Sequence, residues 1–222
     1  MGGLALLVAT ALFIAVFSYL ASTFGYPDVL DRPADEVLPA LRALGPTGWS
    51  VWLIYGWIPL LLVPTALGVR EAARMTTPRL ARLAVPLAML STASMMAGLL
   101  RWPTLHWWLA GAWTSADAAE RTIIAARFAA ANLYLGNVVG EFAGELFLNG
   151  FLLVASLAVA GARPGRRWLA VAGTAASALG WLAMLRNLTP LVATIAAINN
   201  AVLPLWMIVL GVMLLRTVRA TR

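Results

Sequence analysis

The chain has 222 residues, of which 62% are hydrophobic and 11% charged, with a formal net charge of +7 and a mean hydropathy of +0.85. Soluble domains are roughly 45–50% apolar and about 25% charged. The composition therefore excludes a soluble domain, a disordered tail and a coiled coil, and it indicates an integral membrane protein. The absence of cysteine excludes disulfides and thiolate metal sites, and the single histidine excludes a bis-histidine haem site within one chain.

Six apolar stretches are long enough to cross a hydrocarbon core of about 30 Å as α-helices, which takes roughly 20 residues. The predicted spans are residues 4–23, 49–69, 83–100, 136–160, 168–185 and 191–215. We therefore expect an all-α, polytopic bundle of six transmembrane helices that forms a single integral membrane domain over residues 1–222. The first stretch is expected to be retained rather than cleaved, because no basic residue precedes it.

Two segments are expected to be helical without crossing the membrane. Residues 35–44 carry apolar side chains at helical spacing after Pro33, which predicts a short amphipathic helix on the outer membrane surface. The stretch 118–160 would extend about 60 Å as a helix, twice the thickness of the hydrocarbon core. Its first half carries Glu120 and Arg127, so we place that half outside the membrane as an extension of the fourth helix.

The arginines are concentrated in alternate connections. The loops after the second and fourth predicted spans and the C-terminal tail hold ten of them against one acidic residue, Glu71: Arg70, Arg74, Arg79, Arg82, Arg163, Arg166, Arg167, Arg216, Arg219 and Arg222. Basic residues favour the cytoplasmic side, so both termini are predicted to be cytoplasmic. The arginines that set this orientation account for the net charge of +7, and no motif indicates binding to nucleic acid.

The opposite, outer side is predicted to carry an aromatic belt, because seven tryptophans fall near that interface: Trp49, Trp52, Trp102, Trp107, Trp108, Trp113 and Trp181. The location expected from these features is a bacterial cytoplasmic (inner) membrane, crossed several times. The lipid bilayer is then the first partner. A membrane-protein partner or a second copy of the chain is a further candidate.

The fourth span carries the most informative polar pattern. Four polar residues recur at four-residue spacing, on one helix face: Asn137, Glu141, Glu145 and Asn149. Three glycines form a neighbouring stripe: Gly136, Gly140 and Gly144. Small residues let another helix approach closely, so we expect the polar stripe to face the bundle interior, where ionisable residues count as functional candidates.

Two carboxylates about 6 Å apart on one helix face could hold a cation or share a proton. In the alternative interpretation both acids are structural: Glu141 is solvated, and Glu145 pairs with Arg101 or Arg127 between helices. In the functional interpretation Glu145 lies deepest and contacts a polar side chain of another helix. Its expected partners are Arg101, Asn199 and Asn200, which complete the predicted ligand-binding set.

His106 is the one candidate metal ligand outside this set. Together with Glu141 and Glu145 it would form a plausible set for non-haem iron or zinc. Alternatively it is an ordinary interfacial histidine beside Trp107, or an axial ligand to a porphyrin. No motif identifies a cofactor, which stays unknown, and no residue is assigned a catalytic role.

Three segments carry a resemblance to a known family. They are Tyr26-Pro27-Asp28-Val29-Leu30 with the acidic segment through Arg42, then Leu100-Arg101-Trp102-Pro103, and then Asn132, Tyr134, Gly136, Gly140 and Glu141. In these residues the chain resembles a bacterial family of small six-helix membrane proteins, domain of unknown function forty-three eighty-six, over nearly its whole length. The resemblance implies six spans with a long outer helix before the fourth, and it implies no activity. Trp107-Trp108 and Glu145 depart from the family pattern.

Two classes of function remain open. The first is a non-enzymatic inner-membrane protein that binds a small ligand, a lipid or a partner subunit in the outer half of the bundle, for example as an accessory subunit of a membrane complex. The alternative is a membrane enzyme or an ion-coupled carrier that uses Glu141 and Glu145. This alternative predicts a buried, hydrated cavity that reaches Glu145.

Overall fold

The computed structural model describes residues 1–162 and 165–220, without the side chains of residues 218–220. Within these residues the chain is all helical, and six helices are long and apolar enough to cross a membrane, as predicted. In chain order the helices are α1 (Gly2–Phe24), the short α2 (Ala34–Ala43), α3 (Gly45–Ala73), α4 (Pro78–Trp113), α5 (Ala118–Gly161), α6 (Arg167–Asn187) and α7 (Pro190–Thr217). The protein is thus a multi-pass membrane protein. Arg163 and Arg222 and the side chain of Arg219, used in the orientation argument, lie outside the described residues.

The spanning helices form a ring in which each packs against the next in the chain, and α7 returns to α1. Glycines make the ring tight at one end. A Cβ built on Gly2 would lie 2.7 Å from the Cα of Gly68 in α3, and Gly3 lies against the backbone of Gly211 in α7. Because only glycine leaves room for such backbone contacts, α1 is held firmly between α3 and α7 at this end.

Two apolar cores fill the two ends of the ring. The end that contains Gly3 is aliphatic and includes Leu6, Ala73, Leu152 and Leu214. The opposite end is rich in aromatic residues, such as Phe24, Trp52 and Trp102, and is called the aromatic end below. It joins the end of α1, the connection that contains Val29, and helix α2 to α3 and to neighbouring parts of α4 and α5. The sites described below lie toward this aromatic end.

Helix α2 forms after Pro33, as expected, but its apolar face meets protein rather than lipid. Val37, Leu38 and Leu41 are fully buried in the aromatic core. The Arg42 guanidinium lies over the Trp107 ring, 5.3 Å from its centroid. This helix therefore closes the aromatic end of the bundle.

Three of the seven tryptophans predicted for the aromatic belt are buried core residues: Trp52, Trp102 and Trp113. Trp52 and Trp102 form a pair. Their rings stack with centroids 4.6 Å apart and an interplanar angle of 13°, and both side chains are almost completely buried. Stacked indoles bury a large apolar area and gain from offset ring contact. At these two positions that packing replaces the expected location at the membrane interface.

The segment between the third and fourth predicted spans, which contains Trp102, Trp107, Trp108 and Trp113, is largely helical as well. Helix α4 continues through a π-helical stretch, Trp102–His106, before ending at Trp113, and α5 contains a longer π-helical stretch, Asn132–Ala143. π-Helical turns are rare and occur frequently at functional sites. Here the π-helical stretch of α5 packs against α4 around Gly98 and Arg101, next to the polar residues that the sequence singled out.

Candidate functional site

An arginine and two glutamates form a charged cluster between α5 and α6. Arg186, near the end of α6, donates from Nη1 to Glu145 Oε2 at 2.9 Å and from Nη2 to Glu141 Oε2 at 3.0 Å. A further hydrogen bond joins Nη2 to Glu145 Oε1. The side chains are 32% (Arg186), 23% (Glu141) and 16% (Glu145) exposed. With all three groups ionised, two carboxylates share one guanidinium and the cluster carries a net charge of −1.

The predicted interior position of Glu145 is observed, but its partner differs from the expected ones. Its carboxylate pairs with Arg186 instead of Arg101, Asn199 or Asn200. The reason is that α6 packs directly against the part of α5 that carries Glu145. The sequence analysis did not include Arg186 among the candidate site residues. One signal was available: the sequence has no acidic residue after Glu145, so any ion pair of Arg186 within the chain requires a carboxylate from an earlier segment.

Arg101 forms a second polar centre where α4 meets the π-helical stretch of α5. Its side chain is buried, at 5% exposure, and donates to the Gly98 carbonyl and, at 2.8 Å, to Asn132 Oδ1. Asn132 in turn donates to the Leu30 carbonyl at 2.8 Å. A Cβ on Gly136 would lie 2.5 Å from Arg101 Nη2, so glycine makes room for the guanidinium.

The Arg101 guanidinium is incompletely satisfied. In the described part of the chain no carboxylate oxygen lies within 4.0 Å of it, and its Nε has no hydrogen-bond partner. Its two hydrogen-bond acceptors are neutral oxygens. The Trp102 ring, 5.2 Å from the guanidinium carbon, adds a cation–π contact. A buried cation without an anionic partner is costly, which marks Arg101 as a candidate binding group.

Both polar centres line one cavity of about 560 Å³. Along α7 its wall extends from Pro190 to Leu203, which corresponds to roughly 20 Å of helix at 1.5 Å per residue. The deeper wall includes the apolar side chains of Phe13 and Met95. The cavity therefore runs from the aromatic end far into the bundle, and it reaches Glu145.

The predicted ligand-binding residues line this cavity, with the exception of Asn149. The residues along the wall are Arg101, Asn137, Glu141, Glu145, Asn199 and Asn200. Asn199 is 5% exposed, and its Oδ1 has no hydrogen-bond partner in the described residues. Asn149 instead lies against Gly180 of α6 and donates to the Glu145 backbone carbonyl at 2.8 Å. Of the four residues at i, i+4 spacing, three thus line the cavity, and Asn149 contacts α6.

Two tyrosines complete the wall beside the charged cluster. The hydroxyls of Tyr26 and Tyr55 lie 3.3 Å apart, and both rings border the cavity. Desolvation by the surrounding groups, with a smaller contribution from the Glu141 carboxylate, raises the pKa of Tyr26 to about 12. The Tyr26 hydroxyl is therefore neutral at physiological pH and can act as a hydrogen-bond donor. Sequence reasoning did not include Tyr55, which has no distinguishing pattern among the apolar residues of α3.

His106 is not brought together with the two glutamates. It is completely buried between the Trp102 and Phe128 rings, with centroid distances of 4.7 and 4.6 Å. Neither ring nitrogen has a hydrogen-bond partner, and no group of three metal-binding side chains occurs within residues 1–162 and 165–220. The described residues therefore do not assemble the predicted metal set, because packing directs His106 into the aromatic core.

The three segments that carry the family resemblance converge at this cavity. Tyr26, Asp28 and Leu30 line one part of its wall, Arg101 another, and Gly136, Gly140 and Glu141 of α5 a third. No curated protein and no solved structure matches the chain. A family model described as "Domain of unknown function (DUF4386)" matches residues 1–211. The match covers almost the whole sequence, and the chain therefore belongs to this family of membrane proteins without an assigned function.

Proposed function

We propose that this protein is a non-enzymatic integral membrane protein that binds a small ligand in the cavity between its helices. The observation that carries the proposal is a single cavity of about 560 Å³ that combines the Arg186 cluster, the Arg101 guanidinium and the unpartnered Asn199 amide. Sites for small molecules are typically concave and mostly apolar, with a few convergent polar groups. This cavity has that composition.

The free-energy cost of burying these polar groups supports a binding role over a purely structural one. Charged and amide groups inside a membrane bundle are expensive unless each finds a partner. The glutamates are paired with Arg186, but Arg101 and Asn199 keep unsatisfied atoms beside the cavity. A ligand in the cavity that accepts from the remaining terminal N–H groups of Arg101 would lower this cost, which helix packing alone leaves uncompensated.

The proposal includes a location and an orientation. The protein is placed in a bacterial inner membrane with both termini in the cytoplasm, because the arginine-rich connections favour that side. The cavity then opens at the outer side, where Asp28 and Asp31 are exposed. A ligand would enter from the outer compartment or from the outer leaflet.

Filling the cavity tests the proposal. Ala197 on α7 lines the cavity, whereas the exposed Ala201, one turn further along the same helix, does not. We expect Ala197→Trp to remove small molecules that co-purify with the protein, as measured by mass spectrometry of denatured samples, and Ala201→Trp to retain them. Equal ligand content in both variants, or a partner polypeptide as the only co-purifying species, would contradict a small-molecule site.

A second candidate is a cation-coupled carrier or a membrane enzyme that uses Glu141 and Glu145. It is favoured by the access of the cavity to Glu145 and by the excess of one carboxylate over the shared guanidinium. For a carrier, Glu141→Gln together with Glu145→Gln should abolish cation-dependent uptake of the co-purifying ligand into proteoliposomes. For a binding protein, proteoliposomes should show no cation-dependent uptake even with the unmodified chain.

A further inference from the structure

Inside the cavity, the two arginines Arg101 and Arg186 match Glu141 and Glu145 in number, but the ion pairs involve only one of the arginines. Arg186 already serves two carboxylates, which leaves one negative charge in excess at the cluster of Glu141 and Glu145. Arg101 has no carboxylate within 4.0 Å in the described residues, so its positive charge, in the second half of α4, has no ion-pair partner. These two charges have opposite sign and border the same cavity.

The negative centre suits a positively charged donor group. The side chains of Glu141 and Glu145 are 23% and 16% exposed, and Asn137 and Asn200 line the same cavity. A primary ammonium group has three N–H donors, and its charge would offset the excess negative charge. The exposed Asp28 and Asp31 at the open end favour approach of the same positive group.

The positive centre suits an oxyanion. Two of the five N–H groups of Arg101 have acceptors, both of them neutral oxygens. The guanidinium is held against the Trp102 ring and over Gly136, so its geometry is fixed before any ligand arrives. Planar guanidinium groups recognise carboxylate and phosphate oxygens with charge-assisted hydrogen bonds.

We propose that the cavity takes a zwitterionic amphiphile, whose ammonium group lies against Glu141 and Glu145 and whose phosphate or carboxylate lies against Arg101. The inference rests on the proposed ligand-binding function and specifies the chemical class of the ligand. The deeper wall, with Phe13, Phe17, Met95 and Leu203, would cover an apolar part of the molecule. A ligand with one net charge would leave one of the two centres uncompensated.

Calorimetric titration of the purified full-length protein in a neutral maltoside detergent tests the class of ligand. Two probes share short dihexanoyl chains and differ in headgroup: phosphatidylethanolamine is the zwitterion and phosphatidylglycerol the anion. Hexylammonium, with a single six-carbon chain, is the cation. We expect the zwitterion to bind about tenfold or more tightly than either singly charged probe, because each charge-assisted contact contributes at least that factor. Glycerophosphoethanolamine, which has no chains, separates the two sources: equal binding indicates a soluble ligand, and weaker binding indicates a lipid headgroup.

Two variants locate the binding. Glu145→Gln is expected to weaken binding of the zwitterion and of the cation by about tenfold, and Arg101→Gln to weaken binding of the zwitterion and of the anion similarly. Glu36→Gln, at an exposed acid of α2, is the control and should leave all affinities unchanged. If Arg101→Gln does not fold, Arg101→Lys keeps the charge without the planar fork. It is expected to weaken only the probes that contain phosphate.

The outcomes separate this inference from the proposed function. A preference for a singly charged probe, or zwitterion affinity unchanged in Glu145→Gln and the Arg101 variant, would overturn the inference and leave the binding function in place. No binding of any probe, combined with no effect of Ala197→Trp on co-purifying molecules, would overturn both.

Discussion

At the residue scale, Arg186 holds two carboxylates that would otherwise repel each other. Its guanidinium hydrogen-bonds to Glu141 and Glu145, which lie one helical turn apart on α5. Breaking a buried pair by removing one partner costs more than the pair contributes, because a charge is left uncompensated. The three possible neutralising substitutions are therefore not equivalent.

We predict that Arg186→Gln lowers the free energy of unfolding by roughly 2 kcal/mol, which is less than for a fully buried pair because the side chains stay 16–32% exposed. Glu141→Gln should have a smaller effect, since the pair of Arg186 with Glu145 remains. The measurement is thermal unfolding in detergent. Arg74→Gln, which breaks an exposed pair with Glu71, is the control and should change little.

The double variant Arg186→Gln with Glu145→Gln tests whether repulsion between the two carboxylates causes the loss of stability. It leaves a single carboxylate, so it should recover part of the stability that Arg186→Gln loses. If the double variant is less stable than Arg186→Gln alone, repulsion between the carboxylates is not the cause of the loss.

At the element scale, the contact between α4 and α5 depends on glycine. A Cβ on Gly140 would lie 2.7 Å from the Cα of Gly98, and a Cβ on Gly144 would lie 2.6 Å from Met95 Cγ. The first neighbour is backbone and cannot move aside, whereas the second is a flexible side chain. The glycine stripe thus faces another helix, as its spacing predicted, and brings Arg101 of α4 next to the polar face of α5.

We predict opposite signs for the same substitution at two glycines. Replacing a helical glycine with alanine normally stabilises by about 0.5–1 kcal/mol. Gly111→Ala in α4 should follow this rule, because nothing lies within 4 Å of the added Cβ, whereas Gly140→Ala should lower the melting temperature. Gly144→Ala should fall between them. A melting temperature for Gly140→Ala at or above that of the unmodified protein would contradict the close backbone contact.

Sequence periodicity predicted which residues form helices better than it predicted what surrounds each helix face. Apolar length identified six spanning helices, and the i, i+4 spacing identified the polar and glycine stripes on α5. The spacing could not show that α5 passes through a π-helical stretch or that Asn149 faces α6 rather than the cavity. It also could not select Arg186 over Arg101 as the partner of Glu145, because that choice depends on which helices are neighbours.

At the scale of the whole molecule, the cavity follows from an asymmetry between the two ends of the ring. Gly2 and Gly3 bring α1 into backbone contact with α3 and α7 at the aliphatic end. Near the other end, Phe17 of α1 and Ala197 of α7 line the cavity instead. The polar groups lie in the space that results, and no local pattern in the sequence encodes the separation of two helices so distant along the chain.

The same asymmetry relates the cavity to the charge distribution. The residues that flank the arginine-rich connections lie in the aliphatic core together with Leu6: Ala73, Ala81, Leu169 and Leu214. The cavity lies toward the opposite, aromatic end. The compartment from which the proposed ligand would enter therefore depends on which end faces the cytoplasm, and one topology experiment identifies that compartment.

We predict that the aliphatic end is cytoplasmic, because basic connections are retained on that side during membrane insertion. Reporter fusions after Arg79 and at the C-terminus should report a cytoplasmic location, and a fusion near Ala116, between α4 and α5, should report an external one. Ala116 packs against the aromatic core, so its fusion marks the end toward which the cavity lies. An external C-terminus would reverse the bundle and place the cavity opening in the cytoplasm.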